Sequence, residues 1–188
     1  GDALLYAQAA QADIIVLCWG TLTQSTLDDE ISNIQRLTEA LIVVSVGNEG
    51  VGKEFDPANH PDVLAVGATD AADVFWEDNS AVRVERNNHT FIKPEIYAPG
   101  VELTLPVPQG INSDNYLTLS GTSFAAPIVA GVAALIMGWC RRNNKTITRQ
   151  DLRELLLSTA DEITTCEEVG GKGRRINAGR ALAEIQRV

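Results

Sequence analysis

One segment of the chain combines a hydroxyl side chain with the start of an apolar helix. It runs from Leu119 to Gly131 and has the sequence LSGTSFAAPIVAG. Because proline lacks the N–H that a helix interior needs, Pro127 places the helix start within a few residues of Ser123. The Ser123 hydroxyl therefore lies where free backbone N–H groups and the helix dipole favour negative charge. A serine here is either an ordinary N-cap or a nucleophile.

A second polar side chain follows a strongly apolar stretch. Residues 42–47 predict a buried strand, and Asn48-Glu49-Gly50 follows at once. In open α/β sheets, ligands bind at the carboxyl ends of parallel strands. Asn48 is therefore a candidate site residue at that edge, with a plain turn residue before Gly50 as the alternative.

The elements around these residues predict a single α/β domain. Continuous apolar runs at 14–20, 42–47 and 63–68 are typical of strands buried on both faces of a parallel sheet. Apolar residues at three- and four-residue steps over 27–41 predict an amphipathic helix, which completes a right-handed βαβ crossover. The other predicted elements are helices over 3–12, 148–159 (N-cap Thr148) and 177–186, a hairpin over 82–92 closing at Asn87-Asn88, and a short strand over 115–120.

The helix after Ser123 raises the question of a membrane span. The stretch from Phe124 to Cys140 carries no charge, but it is rich in Ala and Gly and includes Pro127. A span needs about 20 strongly apolar residues, more than this stretch offers. We therefore predict a helix buried on all sides in the core of a soluble domain.

The composition of the chain limits the classes of binding partner, but it says less about the cellular compartment of the protein. The chain has 188 residues, enough for one domain with a real core. Its net charge of −10 argues against a nucleic-acid or anionic-membrane partner. Three cysteines leave at least one thiol unpaired within the chain, which leans towards an intracellular, reducing compartment. The first residues of the chain do not have the pattern expected of a signal peptide. Sequons at Asn88 and Asn144 matter only in a secreted eukaryotic protein, so localisation is left open.

Together these segments resemble the subtilisin-like serine proteases, or subtilases. Residues 121–131 are similar to the family's nucleophile motif, Gly-Thr-Ser-Met/Phe-Ala-x-Pro-x-Val-Ala-Gly, and residues 44–50 to its oxyanion-hole strand and turn. Residues 60–68, 93–100 and 171–182 are similar to further landmarks in the family's order. The resemblance spans nearly the whole chain. It implies a three-layer fold with a mostly parallel sheet and helices on both faces, incomplete at the N-terminal side, with residues 1–188 as the C-terminal part of one domain.

The resemblance also assigns roles to individual residues. Ser123 would be the nucleophile, and its backbone N–H and the Asn48 amide would stabilise the oxyanion. The backbones of Cys18-Trp19-Gly20 and Ser45-Val46-Gly47 would flank the substrate side chain that precedes the scissile bond of a peptide or protein. Cys18-Trp19-Gly20 departs from the family's usual Ser-Leu-Gly. Trp19 therefore either reshapes a subsite or is a core aromatic at a strand end.

Two members of the family's catalytic triad have no counterpart in the chain. The family's Asp lies in an Asp-Thr/Ser-Gly context and its His in a His-Gly-Thr-His context, and neither pattern occurs. We expect both in a segment upstream of Gly1, together with most of the calcium sites common in the family, so no metal ligand is predicted here. His60 and His89 lie in loops and are not expected to act as the base. Since loss of the histidine costs such an enzyme about 10⁶ in turnover, we expect the chain alone to be nearly inactive. We also expect it to fold poorly, with an apolar sheet edge exposed.

Two hypotheses follow, and a third is weaker. The first is a serine endopeptidase whose Asp and His come from the upstream segment. The second is a pseudoprotease that keeps the fold as a peptide-binding or scaffolding module. The third, a different α/β hydrolase, would need the Gly-x-Ser-x-Gly elbow, but Ala125 stands where its second glycine belongs.

Overall fold

A computed structural model describes residues 2–22, 27–86, 88–111 and 113–187. The helices are α1 (Asp2–Ala9), α2 (Asp28–Leu37), α3 (Thr122–Arg142), α4 (Arg149–Ser158) and α5 (Ala178–Arg187). The strands are β1 (Ile14–Leu17), β2 (Leu41–Ser45), β3 (Leu64–Thr69), β4 (Val82–Arg86), β5 (His89–Lys93), β6 (Ile96–Pro99), β7 (Leu103–Pro106), β8 (Tyr116–Leu119), β9 (Asp161–Thr164) and β10 (Lys172–Arg175).

Six of the strands form the central sheet, in the order β1-β2-β3-β6-β10-β9. Neighbouring strands are parallel except for the antiparallel pair β10–β9. The predicted mostly parallel sheet is confirmed. Because β1, β2 and β6 run in the same direction, the residues that follow them meet at one edge of the sheet.

Helices cover both faces of this sheet, because alternate residues of its strands point to opposite sides. Val43 and Leu41 of β2 pack with α3, α4 and α5 in one core cluster. Ile42 and Val44 pack with α1 and α2 in the other, where Ile31 of α2 is fully buried. The predicted three layers are confirmed.

Two hairpins lie outside the central sheet. The predicted hairpin over 82–92 is β4–β5, with Asn88 at a φ of 61° and Asn87 outside the described residues. The predicted strand over 115–120 is β8, which pairs antiparallel with β7 and leads directly into α3. Strand β7 therefore anchors the entry to the helix that carries Ser123.

Several predicted boundaries were wrong. Helix α1 ends at Ala9 rather than residue 12, and Gln11 takes a φ of 54° in the turn that follows. Strand β1 ends at Leu17 rather than residue 20. Helix α2 ends at Leu37 because Thr38 is extended, so Leu41 belongs to β2 despite its helical spacing. Strands β7, β9 and β10 were not predicted.

Helix α3 begins where Pro127 requires, but it is not buried on all sides as predicted. Its inner face packs on the sheet, with Ala125 and Ala133 fully buried. Its outer face is open: Ile128 is 37% and Leu135 55% exposed. Among the described residues it is also the one helix that length and composition alone would allow to cross a membrane.

Candidate active site

Ser123 is the second residue of α3, inside the first helical turn. The cap is Gly121, which offers no side chain, so the interpretation of Ser123 as an ordinary N-cap is wrong. The Ser123 Oγ instead donates a hydrogen bond to the Cys18 carbonyl at 3.2 Å. The nucleophile candidate thus lies at the carboxyl end of β1, half-buried.

Gly100 fixes the start of α3 against the sheet. Its N–H donates to the Thr69 carbonyl, and its own carbonyl accepts from the Gly121 N–H at 2.8 Å. A Cβ atom at Gly100 would lie 2.8 Å from the Ala68 Cβ and 2.9 Å from the Gly121 carbonyl oxygen. Only glycine allows the turn after β6 to approach the helix this closely.

Asn48 follows β2 at the same edge, and Thr122 orients its amide. The Asn48 Oδ1 accepts from the Thr122 N–H at 3.0 Å and from the Thr122 hydroxyl at 2.8 Å. The Thr122 hydroxyl in turn accepts from the Gly47 N–H at 3.2 Å. The oxygen of the Asn48 amide is therefore engaged by Thr122, which leaves the amide nitrogen free to donate.

This orientation leaves two hydrogen-bond donors at the start of α3. The Asn48 Nδ2 bonds to no described residue and would lie 3.5 Å from a Cβ atom at Gly121. The Ser123 backbone N–H belongs to the first turn of α3, where amides have no helical acceptor. Two donors near a nucleophile are what an oxyanion hole requires.

The two segments predicted to flank the substrate, Cys18–Gly20 and Ser45–Gly47 (the cleft segments), border this site through their backbones. Cys18 contacts Ser123 through its carbonyl, and Gly47 contacts Thr122 through its N–H. The side chains of Ser45 and Val46 are buried at 2% and 1% exposure, so they face the core.

Two side chains of the first cleft segment depart from a core role. Trp19 is 52% exposed, so its interpretation as a core aromatic is wrong. Cys18 is exposed, and the partial desolvation of its thiol raises the pKa of that thiol above its usual value.

Neither histidine of the chain forms a hydrogen bond with Ser123. His60 is buried, with Nε2 3.2 Å from the Ser32 Oγ and Nδ1 accepting from the Asp62 N–H at 3.1 Å. His89 is exposed on β5. Within the described ranges, no group of three or more His, Cys, Asp or Glu side chains is arranged to hold a metal ion.

The structure adds Thr122, which the sequence did not single out as a positioning residue. Its place in the Gly-Thr-Ser motif was visible, but its bond to Asn48 joins residues 74 positions apart. A motif shows which types occur together along the chain, not which distant amide a hydroxyl orients.

Residues 1–179 match the sequence model of the Subtilase family. The thermophilic serine proteinase of Bacillus sp. (strain AK1) is 31% identical over 163 residues, which are 87% of this chain and 36% of that protein. The chain thus spans about a third of the length of this relative.

Two solved structures share the fold. The Prenylagaramide maturation protease PagA superposes with a TM-score of 0.81 at 28% identity, covering 98% of this chain and 66% of that one. The PatG macrocyclase in complex with peptide superposes with a TM-score of 0.77 at 27% identity, covering 98% and 55%.

Proposed function

Since the chain belongs to the subtilase family, we propose that it is the part of a serine endopeptidase that carries the nucleophile and the oxyanion donors. In this proposal Ser123 attacks the carbonyl carbon of a peptide bond. The Asp and His that complete the triad come from a segment upstream of Gly1. The substrate is a peptide or protein, a class supported by the PatG structure, whose partner is described as a peptide.

The proposed chemistry proceeds in two stages. The Ser123 Oγ forms a bond to the carbonyl carbon as its proton passes to the upstream histidine, and that proton then leaves with the amine product. The negative oxygen of the intermediate accepts from the Ser123 N–H and the Asn48 Nδ2. Water next hydrolyses the acyl-enzyme and releases the free carboxylate, which restores the Ser123 hydroxyl.

One observation carries this proposal: Thr122 holds the Asn48 amide by its oxygen. Two hydrogen bonds to Oδ1 fix which end of the amide Thr122 engages. Because Thr122 engages the oxygen, the Nδ2 is the end of the amide that is left to donate. The arrangement supports a donor that is positioned before substrate binds, and such donors need no reorganisation during the reaction.

The test is covalent labelling of the full-length protein with a fluorophosphonate, which phosphonylates an activated serine. We expect labelling of the parent protein, loss of labelling in Ser123→Ala, and unchanged labelling in the control Ser113→Ala, at an exposed loop serine. We expect Asn48→Ala to lower kcat for peptide hydrolysis by about 10²–10³-fold, as loss of this donor does in subtilisin.

The alternative is a pseudoprotease that binds peptides without cleaving them. It requires that the full-length protein leave Ser123 unlabelled under conditions that label an active serine protease. That result would overturn the endopeptidase proposal. Motifs of the form Asp-Thr/Ser-Gly and His-Gly-Thr-His in the coding sequence upstream of Gly1 would instead exclude the pseudoprotease.

A further inference from the structure

A half-buried aromatic ring lies between the two backbone segments that border Ser123. A Cβ atom at Gly20 would overlap the Cε1 of Phe55 and lie 2.7 Å from its Cδ1. A Cβ atom at Gly47 would lie 2.5 Å from the Phe55 Cγ and 2.8 Å from its Cδ1. The ring is thus in contact with both glycines and fills the space that their missing side chains leave.

Both glycines lie next to the reacting groups. Gly20 is two residues from Cys18, whose carbonyl accepts from the Ser123 hydroxyl at 3.2 Å. Gly47 directly precedes Asn48, and its N–H bonds to the Thr122 hydroxyl at 3.2 Å. Phe55 therefore reaches the vicinity of the nucleophile from a loop in which no sequence pattern predicts a site residue.

Backbone hydrogen bonds hold the ring in this place. Thr21 and Asp56 exchange two backbone hydrogen bonds of 2.8 Å each, which fasten the Phe55 loop to the segment after β1. The Phe55 N–H donates to the Asn59 Oδ1 at 3.1 Å, and the Phe55 carbonyl accepts from the Asn59 N–H at 3.2 Å. Asn59 is itself 4% exposed and bonds to Asp56. The loop is thus tied down on both sides of the ring.

We propose that Phe55 closes the subsite for the substrate side chain that precedes the scissile bond, and that the enzyme accordingly cleaves after small residues such as Gly, Ala and Ser. This inference deepens the proposed function and rests on it. In the proposed complex, the carbonyl oxygen of the scissile bond accepts from the Ser123 N–H and the Asn48 Nδ2. The Cα of the residue before the scissile bond is two bonds from that oxygen. The family resemblance places the side chain on that Cα between the segments Cys18–Gly20 and Ser45–Gly47, and the Phe55 ring contacts the glycine that ends each segment.

The test uses the full-length protein and peptide p-nitroanilides that differ only in the residue before the scissile bond, Ala or Phe. We expect the parent protein to favour Ala over Phe in kcat/KM by about tenfold or more, the scale set by packing differences in an apolar pocket. In Phe55→Ala, the ratio of kcat/KM for the Phe substrate to kcat/KM for the Ala substrate should rise by about tenfold or more. Phe55→Leu should give a ratio of kcat/KM for the two substrates between those of the parent and Phe55→Ala. This smaller truncation keeps the test valid if Phe55→Ala misfolds.

The matched control is Phe91→Ala, which removes a half-buried ring from β5, away from both glycines. Its Ala-to-Phe ratio should equal that of the parent. A parent protein that cleaves after Phe as fast as after Ala, or a ratio unchanged by both Phe55 variants, would overturn this inference while Ser123 labelling keeps the proposed function. A parent protein without Ser123 labelling would overturn both.

Discussion

His60 shows how a residue suited to catalysis is committed to structure instead. Both ring nitrogens are occupied, one beside the Ser32 hydroxyl and one accepting from the Asp62 N–H. Burial lowers the pKa of His60, although the carboxylates of Asp62 and Asp28 act to raise it. An imidazole that accepts from an amide through Nδ1 must be neutral, so the folded protein selects the uncharged form.

This selection predicts an acid-sensitive stability. The unfolded chain binds a proton at His60 below pH about 6.5, whereas the folded protein binds it only at lower pH. The free energy of unfolding should therefore fall as pH drops below about 6.5, by at most about 1.4 kcal/mol per pH unit from this group. Urea unfolding at a series of pH values between about 5 and 8 measures this dependence of the free energy of unfolding on pH.

His60→Gln should make the free energy of unfolding less dependent on pH below about 6.5. The control is His89→Gln, at the exposed histidine, which should show the same pH dependence as the parent protein. A His60→Gln profile as steep as the parent's would show that other groups set the acid sensitivity.

Among single residues, the places of Ser123 and Asn48 in the fold could be predicted, because Ser123 begins a strongly patterned helix and Asn48 follows a strongly patterned strand. An apolar helix with Pro127 in its second turn, and a buried strand before Asn48, fix where those side chains must lie. Phe55 and Thr122 act through contacts with residues distant in the chain. Side-chain types and spacing carry no signal for such contacts, so the sequence could not identify them.

At the scale of elements, α4 confirms a capping prediction in detail. The Thr148 Oγ1 accepts from the Asp151 N–H at 3.1 Å and donates to the Asp151 carboxylate at 2.6 Å. This bond satisfies one of the amides that the first helical turn leaves without an acceptor.

Removing this cap should destabilise the fold without changing the substrate preference of the proposed active site. Thr148→Ala is expected to lower the free energy of unfolding by about 1 kcal/mol, and Thr148→Ser, which keeps the hydroxyl, by much less. Urea denaturation of the full-length protein measures both. The ratio of kcat/KM for the Ala and Phe substrates should stay at the parent value; a change in that ratio would mean that α4 influences the cleft.

Elements were predictable where burial imposes a pattern. Strands β2 and β3 are buried along their whole length, so their sequences are continuous apolar runs. Strand β10 has the sequence Lys-Gly-Arg-Arg, and β7 ends in a proline. Their strand character comes from pairing with β6, β9 and β8 and leaves no local signature.

At the scale of the whole molecule, an edge strand of the central sheet and the outer face of α3 both expose apolar side chains. Strand β1 is an edge strand of the six-stranded sheet, and its Val16 is 38% exposed. On α3, Ile128 is 37% and Leu135 is 55% exposed. Both an open strand edge and exposed apolar side chains favour association between chains.

We therefore expect residues 1–188 expressed alone to self-associate, and the full-length protein to be monodisperse and to unfold cooperatively. Size-exclusion chromatography and thermal denaturation compare the two. Leu135→Lys should raise the monomeric fraction of the short chain, and Ile111→Lys, at a 61% exposed loop residue, should do so less. A monomeric short chain with a cooperative transition would contradict this expectation.

The position of Ser123 within α3 links chemistry to folding. The same helix supplies the proposed nucleophile at its second residue and, from Ala125 to Cys140, much of the larger core cluster. A molecule in which that core has melted cannot keep the Ser123 amide, the Thr122 hydroxyl and Asn48 in register. The fraction of molecules that react with a serine-directed probe therefore counts the native population, so one reagent can serve as both an activity assay and a folding titration.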